Sequence, residues 1–269
     1  MSKTYSYEDA IILKKKAFKN LTKTLESFLA RPAPIIPGDI NYIKKTALIS
    51  KWISQYANYL SFEEKFVPTQ NISYSRGDII FVNFGFNIGA ELGGAHYAVV
   101  IDKISHHNSS TVTVIPLSSL KPGKKIHPND LYIGNELYEK LHLKFKTVLL
   151  HLKDELANNM LIASILKEKI NTLKHFEKEN KEINEIEDAF EKLERIVEKL
   201  NQEISGTEQL RNELLSLKSG SIAKIKQITT ISKIRIYNPQ KVSDSLNGIR
   251  FSEDTMIAIN DKLKESYIL

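Results

Sequence analysis

Two titratable side chains, Glu91 and His96, stand in a glycine-rich stretch within residues 74–101, YSRGDIIFVNFGFNIGAELGGAHYAVVI. Histidine titrates near pH 6.5, so it gives or takes a proton at neutral pH. The carboxylate of Glu91 reads either as a chemical group or as an acceptor holding the loop's own N–H groups. Gly85, Gly89, Gly93 and Gly94 share this loop. Glycine costs ordering entropy, so four of them indicate special backbone angles, close approach of a ligand, or a merely long connection. Downstream, Lys121, Lys124 and Lys125 form a basic loop, suited to phosphate contacts or simply solvated. Phe84 and Phe86 offer either a stacking surface for bases or core packing. The chain has no cysteine, which excludes disulfides, thiolate metal sites and a cysteine nucleophile. His106, His107 and His127 have no partner at metal-ligand spacing, so neither metal nor other cofactor is expected. The glycine loop runs into an apolar strand rather than a helix, and no Gly-Lys-Ser/Thr follows it, so neither phosphate-loop fingerprint fits.

These residues need elements to position them. Residues 78–84 and 97–101 are apolar and β-branched, which predicts a strand on each side of the loop. Residues 111–117 alternate Thr111 and Thr113 with Val112 and Val114, a third strand, and 130–133 predict another short one. The β signal returns at 221–232 and 233–237. Between them, over about 136–218, glycine and proline nearly vanish. Phe176, Ile183, Phe190, Val197 and Ile204 recur every seven residues, with Ile186, Leu193 and Leu200 three after their partners. That is a coiled-coil seam. A segment leaving and re-entering one sheet must return near its start, which predicts an antiparallel helical hairpin turning at Asn158-Asn159, around 177–182, or at Gly206. Its charged faces read as solvated surface or as a recognition and oligomerisation arm. Ahead of the β region, Ile11, Ile12, Phe18, Leu21, Leu25, Phe28 and Leu29 predict one helix starting at Ser6 or Tyr7. Ile43, Ala47, Leu48, Trp52, Ile53, Tyr56 and Leu60 predict a second over 41–60, after a break at 31–39. Ser252 caps a final helix whose apolar face holds Met256, Ile257, Ile259 and Leu263.

At 269 residues with a formal net charge of +6, the chain holds one or two domains and suits a polyanionic partner. No apolar run approaches the roughly 20 residues of a membrane helix, and the first twenty residues do not resemble a secretory signal. The expectation is a cytoplasmic protein with no membrane partner.

The words of the β blocks carry a resemblance. Arg76-Gly77-Asp78, an apolar strand, Gly89-Ala90-Glu91-Leu92-Gly93-Gly94 and a second apolar strand resemble the opening of the PemK/MazF family of toxin endoribonucleases, RGD-(strand)-GSExGGxRP-(strand). Residues 111–118, TVTVIPLS, are similar to its third strand, and 225–235, IKQITTISKIR, to its QIRTIDKxR segment. Gly248-Ile249-Arg250-Phe251-Ser252 before a helix is similar to its LGxLS ending. The chain departs at His96-Tyr97, where the family has Arg-Pro.

This resemblance implies an α+β fold: a small SH3-like (PemK/MazF/CcdB-type) β-barrel split by a long antiparallel helical, coiled-coil insertion. The expected organisation is an N-terminal helical region over 1–70, a discontinuous barrel over 71–135 and 219–269, and the insertion over 136–218. It further implies a dimeric toxin of a type II toxin-antitoxin system, cleaving single-stranded RNA without metal and neutralised by a cognate antitoxin lying across the same groove. The substrate's 2′-hydroxyl then attacks, and the protein supplies a base, an acid and groups on the phosphate. His96, Ser118 and Glu91 are the expected catalytic residues, with His96 as acid or base and Ser118 hydrogen-bonding a phosphate oxygen. Arg76, Asn83, Phe86, Lys121, Lys124, Gln227, Thr229 and Arg235 are the expected RNA-binding residues. Arg76 reads alternatively as the ion-pair partner of Asp78, and Arg235 as a support for its own barrel. His96 in place of arginine leaves a second reading, in which the fold has lost cleavage and binds RNA or protein through its arms.

Overall fold

The computed structural model describes residues 4–33, 40–121, 123, 125–175, 181–214 and 220–268. It divides into two units: one from 1–66 and 84–94, the other from 67–83 and 95–269.

In the first unit, α1 (Tyr7–Leu29) begins where a capping box is available. The Asp9 N–H donates to Ser6 Oγ at 3.1 Å and the Ser6 N–H to Asp9 Oδ2 at 3.0 Å, satisfying two donors at the helix end. The second helix, α2 (Tyr42–Glu63), starts on Asn41, whose side chain accepts from the Lys44 N–H at 2.8 Å. The two meet at their joined ends. Phe28 lies 5.3 Å from Tyr42 between ring centres, and the Arg31 guanidinium lies 4.3 Å over Tyr42. Residues 34–39, most of the expected break, lie outside the described residues. Further along α2, Trp52 has Tyr56 and Tyr59 at 5.8 and 6.1 Å between ring centres.

The second unit is a sheet with helices against it. Its strands are β1 (Tyr74–Ser75), β2 (Ile79–Asn83), β3 (Ala95–Val100), β4 (Ile104–Ser105), β5 (Thr111–Ser119), β6 (Leu131–Tyr132), β7 (Ser221–Ala223), β8 (Thr229–Ser232) and β9 (Ile236–Asn238). Seven form one antiparallel sheet in the order β6-β7-β5-β3-β2-β9, with β8 also on β5; β1 and β4 form a small separate pair. The expected barrel is not closed. The path ends at β6 and β9, which do not pair with each other among the described residues. These end strands are only two and three residues long.

The predicted strand over 221–232 is broken in two. β7 pairs with β5 in one register (Leu117 opposite Ala223) and β8 in another (Val114 opposite Thr229), and a single turn of 3₁₀ helix, Ile225–Gln227, takes up the difference. Pro116 sits at this step. It has no N–H to give a ladder, but its carbonyl accepts from the Lys224 N–H at 2.9 Å. A second 3₁₀ turn, Lys233–Arg235, separates β8 from β9.

Both faces of the sheet are packed. Ile79, Val99, Ile115 and Leu117 point to one core, completed by Leu246, Ile249 and Phe251 of the C-terminal segment. Met256 and Ile259 of α5 (Glu253–Tyr267) and Leu137, Leu141 and Phe145 of α3 (Glu136–His175) also join it. Residues of opposite parity, Ile80, Val82, Ala98, Val100, Val112 and Val114, are also buried, with Tyr74 and Ile236. Alternation of a pleated strand therefore produces two apolar faces here, and the continuous Val/Ile runs in the sequence follow from that.

Beyond its first turns α3 leaves the sheet, about 60 Å long over its 40 residues. α4 (Lys181–Glu213) packs along it, with Lys153 Nζ 2.7 Å from Glu208 Oε1 while Met160 and Lys167 border the same cleft as Phe190 and Ser205. These pairings make the two helices antiparallel. Ile183, Leu193, Leu200 and Ile204 of the heptad set are buried and Ile186, Phe190 and Val197 half-buried; Phe176 lies outside the described residues. Asn158-Asn159 and Gly206 both lie inside helices, so neither is the turn.

Candidate functional site

The β3–β5 ladder shows where the two strands bearing His96 and Ser118 are paired. It pairs Ala98 with Pro116, Val99 with Ile115 and Val100 with Val114, and goes no further. Extending that register by two residues sets His96 opposite Ser118. By alternation, both lie on the face of Val82, Ala98 and Pro116, at its open end. Beyond the ladder the two strands keep different company. His96 pairs with Val82 of β2, while Ser118 pairs with Ile222 of β7. The divergence begins at Pro116, where the sequence removes a ladder donor. Both side chains are half-buried. By alternation, an imidazole and a hydroxyl thus fall on the same sheet face, past the last paired residues of β3 and β5.

Thr229, opposite Val114 in the β5–β8 ladder, lies on the same face. Gln227 closes the 3₁₀ turn between β7 and β8, its N–H donating to the Lys224 carbonyl at 2.8 Å. Asn83 falls on the opposite face. It pairs with Ala95, is 9 % exposed, and donates from Nδ2 to the Tyr237 hydroxyl at 2.8 Å. Arg235 Nε donates to the Asn83 carbonyl at 2.8 Å, pinning the end of β2. Tyr237 was not singled out by its sequence context. Only the β2–β9 pairing, across more than 150 residues, brings it to Asn83 and sets its ring 6.0 Å from Phe81.

Arg76 and Asp78 are not paired with each other. The Arg76 guanidinium donates to the Ile101 carbonyl and to Asn260 Oδ1. Asp78 holds Arg250 at 2.8 Å and accepts from the Ser75 N–H at 2.7 Å. Both residues stitch the start of β2 to neighbouring segments. Lys121 is exposed beyond the end of β5; Lys124 lies outside the described residues.

Two further ionisable groups gained partners that sequence spacing could not show. Lys233 is fully buried, with Nζ donating to the His106 carbonyl at 2.8 Å and lying 5.6 Å over the Tyr74 ring. Burial lowers its pKa, against an opposing pull from Asp102. Glu136, first residue of α3, accepts from the Ser252 N–H at 2.5 Å, Ser252 Oγ at 3.0 Å and Thr255 Oγ1, and pairs with Lys140 at 2.9 Å. Burial acts to raise its pKa, but these hydrogen bonds together outweigh it and the net shift is downward.

In the first unit, Glu91 is exposed and Phe86 half-buried on the glycine loop. The Glu91 N–H donates to the Ile88 carbonyl at 3.3 Å. The ladder of a mixed antiparallel sheet, with a hydroxyl and an imidazole where two strands part, is the setting for the comparison with known proteins. Residues 75–193 match the family described as PemK-like, MazF-like toxin of type II toxin-antitoxin system. The match ends inside α4, so β7, β8, β9 and α5 lie beyond it, although these strands complete the same sheet. No curated protein matches the chain. Among the described residues no helix is long and apolar enough to cross a membrane.

Proposed function

We propose that the protein is an endoribonuclease toxin that cleaves single-stranded RNA without metal, through attack of the substrate's 2′-hydroxyl. The observation that supports this reading is the match of residues 75–193 to the toxin family, a stretch that includes both His96 and Ser118, near the ends of the neighbouring strands β3 and β5. His96 moves the proton, as base on the 2′-hydroxyl or acid on the leaving 5′-oxygen, because an imidazole does both near neutrality. Ser118 donates a hydrogen bond to a phosphate oxygen. Thr229, on the same sheet face, and Gln227, in the turn just before it, contact the nucleotide. Lys121 and Lys124 add sequence-independent attraction to the backbone. Glu91 and Phe86 enter on the resemblance alone. Arg76, Asn83 and Arg235 serve mainly to hold β2 in place, since each is engaged within the protein.

The same reading makes a cognate antitoxin and a second copy of the chain its protein partners, and the bacterial cytoplasm its setting. It also treats 71–135 and 219–269 as one domain, which the pairing of β7 and β8 with β5 supports. Purified protein incubated with varied single-stranded RNA in EDTA should yield fragments ending in 2′,3′-cyclic phosphate and 5′-hydroxyl. RNA that is bound but left intact, in EDTA and with Mg²⁺ alike, would sink the nuclease reading and leave a binding module.

A further inference from the structure

Gly85 is where the loop backbone meets an indole. A Cβ built there would lie 2.7 Å from Cζ2 of Trp52, 2.9 Å from Cη2 and 3.0 Å from Cε2, and Gly85 also has φ of +86°. The space opened by this glycine is therefore filled by the chain's own side chain. The rest of the loop is knit internally. The Phe84 N–H donates to the Gly94 carbonyl at 2.8 Å and the Gly94 N–H to the Gly85 carbonyl at 2.6 Å. Asn87 Nδ2 donates to the Leu92 carbonyl at 2.7 Å. A Cβ on Gly93 would lie 2.7 Å from the Gly85 carbonyl oxygen, so the neck tolerates no side chain there. Gly89 differs. It too has positive φ, +65°, but a Cβ on it meets nothing within 4 Å.

We propose that Trp52 is a positioning residue: from α2 it braces loop 84–94, the loop that carries Glu91, in one conformation. Four glycines leave the free loop many conformations, and packing an indole against Gly85 selects one of them. The consequence for RNA rests on the nuclease reading above; the brace itself does not.

Glu91 provides the probe, being exposed in the loop. A Glu-specific protease under native conditions, with mass spectrometry of the 91/92 cut, reads loop order in the full-length protein. Trp52→Ala should be cut severalfold faster than wild type, and Trp52→Phe close to wild type, because a ring still covers Gly85. Gly85→Ala should be cut faster than Gly89→Ala, since both carry positive-φ strain but only the first clashes with the indole. In a Trp52→Ala background that difference should disappear. Equal cutting of Gly85→Ala and Gly89→Ala, or a difference that survives removal of the indole, overturns the proposal, as does unchanged protection in Trp52→Ala. Circular dichroism of each variant checks that α1 and α2 persist; if Trp52→Ala unfolds them, the two glycine variants decide. With active wild type, Trp52→Ala should lower kcat more than it changes KM. If wild type leaves RNA intact, the nuclease reading falls while the protease comparison still judges the brace.

Discussion

Glu136→Gln is the sharpest test of how the hairpin base is tied to the C-terminal helix. The carboxylate receives the Ser252 N–H and hydroxyl, the Thr255 hydroxyl and the Lys140 ammonium, and its side chain is only 18 % exposed. Glutamine keeps one acceptor and turns an NH₂ toward groups that are themselves donors. Hydrogen bonds to a charged group contribute about 1.5–3 kcal/mol each when intact, and the half-exposed Lys140 pair adds less than about 1 kcal/mol. Because glutamine retains part of the network, the expected loss is about 2 kcal/mol at pH 7. The pH dependence has a definite sign. The folded-state pKa is lowered from 4.5, so the unfolded chain binds the proton more readily. The contribution is fully present above pH 4.5 and is lost as pH falls through the lower folded value. Urea unfolding followed by circular dichroism, from pH 7 to pH 3, should show wild type and variant converging in acid. A gap that stays constant down to pH 3, or no gap at pH 7, would refute the reasoning.

Other expectations follow from the same geometry. His96→Ala should lower RNA cleavage by about 10²–10⁴-fold, the range of a general acid or base, with Ser118→Ala losing less and neither changing the urea midpoint appreciably. Lys233→Met should stabilise the fold by about 1 kcal/mol at pH 7, since an ammonium held by one carbonyl and a ring gives way to an apolar chain of similar length. The lowered folded pKa means the cost of burying that charge is felt below it and fades as pH rises to 10.5. Wild type and variant should therefore converge in alkali, and a difference that widens there would contradict the assignment. Ile115→Ala, at a fully buried position, should cost about 3 kcal/mol in urea unfolding. Tyr237→Phe strips Asn83 of its hydroxyl partner and should cost about 1 kcal/mol by the same assay.

What the chain determines by itself is local. Ser6-Asp9 and Ser252-Thr255 start helices because the capping groups lie within one turn, and both starts were readable. The strands around the glycine loop were readable because β-branched runs bounded by glycine have few other uses. The toxin-family resemblance was legible in the words of residues 76–118, and there the family match agrees. The heptads announced a helix packed on another, though three turn positions fitted equally well. Tertiary structure decided the rest, because each answer depends on a partner far along the chain. Arg76 was set beside Asp78 in sequence, yet its partners are Ile101 and Asn260, and Asp78 has Arg250. The strand predicted over 221–232 had to break, since β5 receives β7 and β8 in registers three residues apart. The expected barrel is not closed: its end strands, two and three residues long, do not pair with each other among the described residues. Gly85 shows the same limit. Its sequence announces room for a close approach, and only the fold reveals that the visitor is Trp52.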